Sequence, residues 1–449
     1  MKRRDALILM AATPALAARA QSSPTSEGSL QALVEQRAGA QDLTPDTALA
    51  AARIDGMKIE LGARACGPDS LFEIGSITKT FTALLLADAV VRGKLKLEDP
   101  VEQVLPQSIK LRDSKDQPLR WLDLATQRSG LPRLPSNMAP RTPANPYVDY
   151  DDEALLSFLK DWHPTRERQA VYEYSNLGFG LMGRALAWKA GKPYATLLEE
   201  RVLKPLALDE VMLVPSGSRR LVDGHDAKGK VVPHWGFTEA IAAAGALLAT
   251  PRGLARYAQA AVGAFEHPLK EAFALCLQRR ADGAAPKNPI GLAWNLAPLD
   301  QRWIYGHDGG TFGFSSSLWL DVDRARASLA LCAAFVPVTD LGLHLIDSRI
   351  PLQDFSSTKQ AAVTVDAEQL AALDGTYAMN PQFKITISAR GARLFAQATG
   401  QGEFELFAKG PREFFARVTP LPIKFDGDTG PTPGLTVLQG GQHLRFVKE

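Results

Sequence analysis

Three short motifs hold the residues of this sequence that could do chemistry. In FEIGSITKTF, Ser76 is followed three residues later by Lys79, at the start of an apolar segment. Residues three apart on a helix share one face, so the Lys79 amine can reach the Ser76 hydroxyl. Burial of this turn would lower the pKa of the amine and let it activate the hydroxyl. The spacing therefore predicts a nucleophilic serine with a lysine partner.

The same Ser-x-x-Lys spacing occurs twice more in the chain, at Ser157 with Lys160 and at Ser356 with Lys359. The first pair lies in an acidic amphipathic pattern, which predicts an exposed helix face. The second pair lies in a predicted linker and precedes no apolar helix. For Ser76, the alternative is a helix-capping serine followed by a solvated lysine.

Two further motifs follow along the chain. In YEYSNLGFGLMG, Tyr174 and Asn176 provide a phenol and an amide that a hydrolase could use. In GHDGGTFGF, His307 precedes Gly309 and Gly310, just before the strand-like segment SSSLWLDV. Paired glycines at a strand edge let another backbone approach closely. We interpret the three motifs together as one candidate active site.

Their order resembles the serine β-lactamase and penicillin-binding protein superfamily, most closely class C β-lactamases, DD-peptidases and related esterases. The stretches KLKLEDPVEQVLP, LDLATQRSGLPRLP and AAAGALLATPRGLARY look similar to the same family. The resemblance covers about residues 30–345. It implies an exported serine hydrolase that acts on D-Ala-D-Ala-type peptides or β-lactams. A related carboxylesterase and a non-hydrolysing penicillin sensor are the alternatives.

The resemblance also implies a role for each residue. Ser76 would attack a carbonyl to form an acyl-enzyme, and Lys79 would hold its hydroxyl and pass protons. Tyr174, as phenolate or through Lys79, would act as base in acylation and help to activate water. Asn176 would bind the amide of the substrate. The backbone N–H groups of Ser76 and Gly310 would form the oxyanion hole.

The third motif departs from the family, because His307 and Asp308 stand where class C β-lactamases carry lysine and threonine. The resemblance assigns His307, Asp308, Gly309 and Gly310 to substrate binding. A carboxylate facing a substrate carboxylate at about 4 Å would cost roughly 1–4 kcal/mol. Either Asp308 points away, an arginine neutralises it, or the substrate lacks a carboxylate there. We therefore predict weak β-lactam turnover and better cleavage of peptides or esters.

The glycines of Gly178–Gly183 allow a competing interpretation, because they match a dinucleotide-binding fingerprint. The preceding residues QAVYE are too polar for a central parallel strand, and Glu199 and Glu200 fall in a helical pattern. We expect instead that these glycines pack a helix beginning near Leu181 closely behind the site. No His-x-His or His-x-x-x-His cluster occurs among the 7 histidines, so no metal or cofactor is predicted.

The pattern along the chain predicts an α/β fold. Residues 30–350 read as an antiparallel sheet flanked by helices plus an all-α subdomain, with Ser76 at the start of a central helix that ends near Gly93. Residues 351–366 read as a linker. Short alternating strands in 367–449 predict a small antiparallel β-domain, either a sheet or a barrel.

The first twenty residues predict a secretory signal peptide. Lys2, Arg3 and Arg4 precede an apolar stretch, and Ala18–Ala20 has the form of a cleavage site. The arginine pair leaves a twin-arginine route and an ordinary signal equally open. We predict export to the periplasm or beyond, with no membrane-spanning segment after cleavage.

The charge and the cysteines limit the partners of the protein. Lys and Arg number 51 against 49 for Asp and Glu, so the net charge of +2 gives no basic footprint for nucleic acid. Cys66, Cys276 and Cys332 could form at most one internal disulfide, and Cys332 is predicted to lie in a buried strand. The expected partner is a small-molecule or peptidoglycan-peptide substrate.

Overall fold

A computed structural model describes residues 29–449, except 143, 218, 227–228, 286–287, 381–382, 399–402, 418–419 and 440–441. The described chain forms two compact units. The first comprises residues 29–38 and Leu43–Pro351, and the second comprises Gly39–Asp42 and Leu352–Glu449. The predicted signal peptide lies outside the described residues.

The described chain before Leu352 contains nine α-helices. They are α1 (Leu30–Ala40), α2 (Thr78–Val91), α3 (Trp121–Ala125), α4 (Asp152–Asp161), α5 (Asn176–Ala190), α6 (Tyr194–Leu198), α7 (Pro251–Ala261), α8 (Lys270–Leu277) and α9 (Thr339–Ile346). Helix α2 packs against α5, α6 and α8. These four helices form a helical cluster, whereas α7 and α9 pack against the main sheet.

The strands of the first unit are mostly antiparallel. They are β1 (Leu49–Asp55), β2 (Lys58–Arg64), β3 (Ser70–Glu73), β4 (Val211–Met212), β5 (Arg220–Leu221), β6 (Gly224–His225), β7 (Val231–Val232), β8 (Leu248–Ala249), β9 (Ala281–Ala285), β10 (Asn288–Ile290), β11 (Asn295–Leu299), β12 (Arg302–Gly310), β13 (Ser315–Asp321) and β14 (Arg326–Cys332). The main sheet has the order β2-β1-β14-β13-β12-β11-β10-β9. Strands β4, β8, β3 and β5 form a smaller sheet that leads into the candidate site.

The second unit contains a closed antiparallel barrel. After helix α10 (Ala367–Ala371) it consists of β15 (Gly375–Asn380), β16 (Phe383–Arg390), β17 (Arg393–Ala398), β18 (Phe404–Ala408), β19 (Glu413–Ala416), β20 (Ile423–Phe425), β21 (Gly434–Gln439) and β22 (Gln442–Lys448). Buried and less buried residues alternate along β18, as expected for a barrel wall. The predicted fold class, including the small C-terminal β-domain, is confirmed.

Helix α2 lies at the centre of the first unit. Its residues from Thr78 to Asp88 are all buried, including five polar ones, so no face of these three turns meets water. Such a helix belongs in a core rather than at a surface. Gly93, with φ +65°, lies just beyond its C-terminus, close to the predicted end.

Two sequence expectations concern membranes and thiols. Within the described chain, no helix is long and apolar enough to cross a membrane. Cys66, Cys276 and Cys332 are free thiols. Cys332 lies in β14 with no exposed surface, as predicted, and burial raises the pKa of its thiol to about 12.

Candidate active site

Ser76 occupies the 3₁₀ turn Gly75–Ile77, which connects β3 directly to α2. Gly75 has φ +48°, a conformation that glycine adopts without strain. A Cβ at Gly75 would lie 2.6 Å from the backbone nitrogen of Gly310, so only glycine fits there. The turn places Ser76 just before the first residue of α2 and leaves it 9% exposed. The serine is therefore fixed but still reachable.

Lys79 contacts Ser76 as its spacing predicts. Its Nζ lies 2.9 Å from Ser76 Oγ and donates a hydrogen bond of 2.6 Å to the carbonyl of Ala244. The side chain has no exposed surface. Burial, assisted by the positive charge of Arg133, holds the pKa of Lys79 well below its usual value. A neutral amine bound to a carbonyl keeps a lone pair, which can accept the Ser76 proton.

Tyr174 lies beside this pair. Lys79 Nζ is 4.9 Å and the Arg133 guanidinium carbon 5.2 Å from the centroid of its ring. The phenol oxygen is buried and makes no hydrogen bond of normal geometry to the described residues. Burial raises the pKa of Tyr174, and contact with the Ser76 hydroxyl and the charge of Arg133 oppose that rise. The resting phenol is therefore neutral, and its oxygen is available for a proton relay.

A clamp between two loops positions Tyr174. The backbone N–H of Ser175 donates to Gln127 Oε1 at 2.7 Å, and that of Asn176 donates to the carbonyl of Arg133 at 3.0 Å. The Ser175 hydroxyl also caps helix α5 by accepting a hydrogen bond from the backbone of Gly178. The helix cap and the loop contacts together fix the direction of the phenol.

Asn176 is the first residue of α5. Its Nδ2 donates to the hydroxyl of Tyr147 at 2.9 Å, while its Oδ1 is buried without a hydrogen-bond partner among the described residues. The Tyr147 ring stacks on Phe237 at 5.0 Å and meets Trp235 edge-on at 5.1 Å. Sequence reasoning missed this aromatic wall, because its members lie far apart along the chain. The free amide oxygen can accept an N–H group of a substrate.

The glycine-rich stretch is part of helix α5, which begins at Asn176 and not near Leu181 as predicted. Ser175 caps the helix directly before Asn176, so the helix begins earlier than the position predicted from its glycines. A Cβ at Gly180 would lie 2.6 Å from Ile241 Cδ1, and one at Gly183 would lie 2.1 Å from the Cβ of Ala243. These glycines therefore bring α5 against the segment that carries the Ala244 carbonyl.

His307 lies in β12 with its ring centroid 6.4 Å from that of Tyr174. The side chain is 3% exposed, and its Nδ1 lies 2.7 Å from the carbonyl of Asp308. Burial and the nearby Lys79 charge lower the pKa of His307 to about 3. The ring is therefore neutral at ordinary pH. The third motif consequently supplies no positive charge to the site.

Asp308 directs its carboxylate to the opposite face of the sheet, because successive residues of a strand alternate in direction. Its Oδ2 accepts a hydrogen bond of 2.8 Å from Thr339, the first residue of α9. Burial raises the pKa of the Asp308 carboxyl to about 6. Of the three possibilities raised by the sequence, this geometry favours an aspartate that points away. Charge repulsion at Asp308 thus gives no ground for weak β-lactam turnover.

The two glycines of the third motif lie against the nucleophile turn. A Cβ at Gly309 would lie 2.0 Å from the carbonyl oxygen of Ile74, and the Gly310 backbone packs on Gly75. Ser316, from the neighbouring strand β13, donates a hydrogen bond of 2.9 Å to the same Ile74 carbonyl. The backbone of Gly310 is thereby brought next to the turn that carries Ser76.

Glu73 is a buried support that the sequence motifs did not reveal. Its Oε1 accepts the backbone N–H of Trp235 at 3.0 Å and lies 3.1 Å from His234 Nδ1. Glu73 is 5% exposed and ends strand β3, only three residues before Ser76. One carboxylate therefore ties the aromatic wall to the strand that delivers the nucleophile.

The Beta-lactamase family model matches residues 30–345. This chain belongs to the Beta-lactamase family. It is similar to a β-lactamase of Pseudomonas fluorescens, with 36% identity over 36% of this chain and 43% of that relative's length. It is also similar to the D-alanyl-D-alanine-carboxypeptidase/endopeptidase AmpH of Escherichia coli (strain K12), with 26% identity over 64% of this chain and 74% of AmpH.

Solved structures show the same fold. A class C β-lactamase from Rhodobacter sphaeroides superimposes with a TM-score of 0.59 at 22% identity, over 71% of this chain and 97% of that structure. Family and fold together make this member of the Beta-lactamase family a serine hydrolase. The match to the Pseudomonas fluorescens relative covers less than half of that protein's length.

The other two Ser-x-x-Lys pairs are not buried as Ser76 and Lys79 are. Ser157 and Lys160 are exposed on α4, as predicted, and Ser356 and Lys359 are exposed on the 3₁₀ turn Ser356–Lys359. The described residues contain no group of side chains suited to hold a metal ion.

Proposed function

We propose that this hydrolase cleaves peptides ending in D-alanyl-D-alanine, through an acyl-enzyme formed at Ser76. The observation that carries the proposal is the 2.9 Å contact between Lys79 Nζ and Ser76 Oγ in a fully buried setting. Burial keeps Lys79 neutral more readily than a solvated lysine, so a base and a nucleophile are already in contact. A capping serine with a solvated lysine would show neither feature.

In acylation, the Lys79 amine takes the proton of the Ser76 hydroxyl while Ser76 Oγ attacks the peptide carbonyl. The tetrahedral intermediate collapses when its C–N bond breaks, and the departing D-alanine amine takes a proton from Lys79 through Tyr174. This order favours Lys79 as the acylation base, because burial raises the pKa of Tyr174. Tyr174 then acts as a relay, which is one of the two roles that the resemblance implied.

In deacylation, the same groups would work on water. Tyr174 and Lys79 would accept a proton from a water molecule as its oxygen attacks the acyl carbonyl, and the proton would return to Ser76 Oγ as the ester bond breaks. The backbone N–H groups of Ser76 and Gly310 would stabilise the oxyanion in both steps. One such donor is typically worth about 10²–10³ in rate.

Substrate binding would involve the amide of Asn176. Its unpaired Oδ1 would accept the N–H of the substrate's acyl-side amide, while Tyr147 holds its Nδ2 in place. An unsatisfied buried acceptor costs about 1–3 kcal/mol, which a bound amide would recover. The glycines Gly309 and Gly310 would form the floor beside the scissile bond, with neutral His307 lining the site.

The choice of peptides is supported by the similarity to AmpH, which extends over 64% of this chain. β-Lactams are a second candidate, because the chain reaches 36% identity with the Pseudomonas fluorescens β-lactamase over 166 residues. Both substrates would pass through the same Ser76 acyl-enzyme. Acylation by a peptide releases D-alanine, whereas acylation by a β-lactam opens the ring and releases no leaving group. The two substrates would also differ in how quickly the resulting acyl-enzyme is hydrolysed.

Labelling with a fluorescent penicillin tests the nucleophile. The wild-type protein should form a covalent adduct, and Ser76→Ala should form none, because it lacks the hydroxyl that contacts Lys79. Ser157→Ala is the matched control, since it removes the serine of an exposed pair with the same spacing. Undiminished labelling of Ser76→Ala would overturn the mechanism.

A substrate panel then tests the assignment. Release of D-alanine from diacetyl-Lys-D-Ala-D-Ala should exceed, in kcat/KM, the hydrolysis of a cephalosporin and of a 4-nitrophenyl ester. A higher value for the ester would favour the carboxylesterase alternative. A stable penicillin adduct without turnover of any substrate would favour the penicillin-sensor alternative.

We also propose that the protein is exported, because residues 1–20 have the composition of a signal peptide. The cleavage motif Ala18–Ala20 would leave Gln21 at the mature N-terminus. An exported location agrees with a peptidoglycan-derived substrate. Sequencing the N-terminus of the protein recovered from the periplasm or medium tests this, and an intact N-terminus confined to the cytoplasm would contradict it.

A further inference from the structure

The Arg133 side chain is a cation of the active site that the mechanism above does not use. Its guanidinium carbon lies 5.2 Å from the centroid of the Tyr174 ring, on the loop that follows α3. Its charge acts on Lys79, where it adds to burial in lowering the pKa. Burial raises the pKa of Tyr147 and of Tyr172, and the charge of Arg133 opposes both rises. The positive charge of the Arg133 guanidinium therefore acts on several side chains of the candidate site.

No carboxylate neutralises this guanidinium among the described residues. The acids on the neighbouring loops are paired with other arginines, Asp149 with Arg141 and Glu173 with Arg166. A partly buried arginine without an anionic partner is an uncommon arrangement, since buried charges are usually paired. Arg133 thus places a positive charge beside the Tyr174 ring, with no ion pair to a carboxylate among the described residues.

The position of Arg133 indicates which part of a substrate would meet it. Its backbone carbonyl accepts the N–H of Asn176, and the Asn176 side chain binds Tyr147. Asn176 is the group proposed to bind the acyl-side amide. Arg133 therefore borders the acyl portion of the substrate, while the leaving group would lie toward His307 and the β12 glycines.

We propose that Arg133 forms a subsite for an anionic acyl group, so that the enzyme prefers substrates whose acyl side chain carries a carboxylate. The guanidinium would bind that carboxylate through charge-assisted hydrogen bonds. The aromatic wall of Tyr147, Trp235 and Phe237 would pack on the neighbouring apolar part of the acyl chain. This inference rests on the proposed Ser76 acyl-enzyme and names the substrate class that it would favour.

The same charge could instead serve only to tune Tyr174. The two roles differ in a measurable way. A tuning role would affect every substrate by the same factor, whereas a subsite would affect only substrates with an anionic acyl chain.

A matched pair of penicillins separates the two roles. Benzylpenicillin and carbenicillin differ by one carboxylate on the acyl side chain, and both would acylate Ser76. Their second-order acylation rates at pH 7 are measured by competition with a fluorescent penicillin, which needs no turnover. The readout is the ratio of the carbenicillin rate to the benzylpenicillin rate.

Arg133→Gln should lower this ratio about tenfold or more, because a charge-assisted hydrogen bond is lost. Arg133→Lys should retain most of the ratio, since it keeps the charge. Arg141→Gln is the control, because that arginine is exposed, lies on a nearby loop and already pairs with Asp149. It should leave the ratio unchanged.

Equal loss of both rates in Arg133→Gln would overturn the subsite, because it would show that Arg133 acts through Tyr174. An unchanged ratio and unchanged rates would overturn it as well. If wild type and Ser76→Ala both fail to label, or label equally, the proposed function itself fails. The two failures are therefore distinguishable.

Discussion

At the scale of single residues, burial decides the chemistry of this site more than residue type does. Burial favours the neutral form of the Lys79 amine, and His307 loses its charge because it is buried beside Lys79. Tyr174 stays neutral for the same reason. The three groups differ in intrinsic acidity, yet burial opposes the charged form of each one.

Asp308 gives a test of this effect through pH-dependent stability. In the folded protein the pKa of Asp308 is raised to about 6, whereas an unfolded aspartate titrates near ~3.9. Its stabilising contribution is therefore complete below about pH 4 and is lost as the pH rises through about 6. Asparagine cannot ionise. Asp308→Asn should therefore gain stability relative to wild type by roughly 1–3 kcal/mol between pH 4 and pH 7.5.

Urea unfolding at both pH values measures this difference. The hydrogen bond from Thr339 can be kept by the amide oxygen of the variant, which limits side effects. A stability difference that does not change with pH would show that the Asp308 carboxylate is solvated. That result would mean that the Asp308 carboxylate could still face a substrate.

At the scale of elements, the site depends on how closely α5 approaches the segment 240–244. Gly180 and Gly183 remove the side chains that would keep the two apart. The segment then presents the Ala244 carbonyl to the Lys79 amine. The glycine fingerprint thus allows close packing of α5 on the segment beside Lys79 and does not indicate phosphate binding.

Gly183→Ala should disturb this arrangement. The added Cβ would lie 2.1 Å from the Cβ of Ala243, and overpacking of this kind costs roughly 1–3 kcal/mol. The rate of penicillin acylation should also fall, because the shift displaces the Ala244 carbonyl. Urea unfolding and labelling rates measure the two effects.

Gly39→Ala is the matched control for this prediction. Gly39 is also a helical glycine, in α1, but a Cβ there meets no atom within 4 Å. The control should be neutral or slightly stabilising, because alanine is the better helix former. Equal stability of Gly183→Ala and wild type would show that the α5 contact is softer than described.

At the scale of the whole molecule, every residue of the candidate site belongs to the unit formed by residues 29–38 and Leu43–Pro351. The barrel strands add none of them. A chain that ends at Pro351 should therefore still be labelled by fluorescent penicillin at a Ser76-dependent rate within about threefold of the full chain. The rate ratio is measured after circular dichroism shows that the truncated chain is folded. A folded truncated chain without labelling would contradict this.

The sequence by itself determined the local features of the site. A three-residue spacing on a helix brings Ser76 to Lys79 whatever surrounds them, because backbone geometry fixes that distance. Alternating strands predicted the C-terminal β-domain in the same way. The choice between a sheet and a barrel was left open, because closure depends on the pairing of β15 with β22 from opposite ends of this segment.

The tertiary structure alone decided the rest. Whether Asp308 faces the substrate or α9, which carbonyl receives Lys79, and which side chains surround Asn176 depend on contacts between residues far apart in the chain. Such contacts arise from loop closure and packing, which leave no local pattern to read. Arg133 shows this most clearly, because only the folded chain places this loop arginine over the Tyr174 ring.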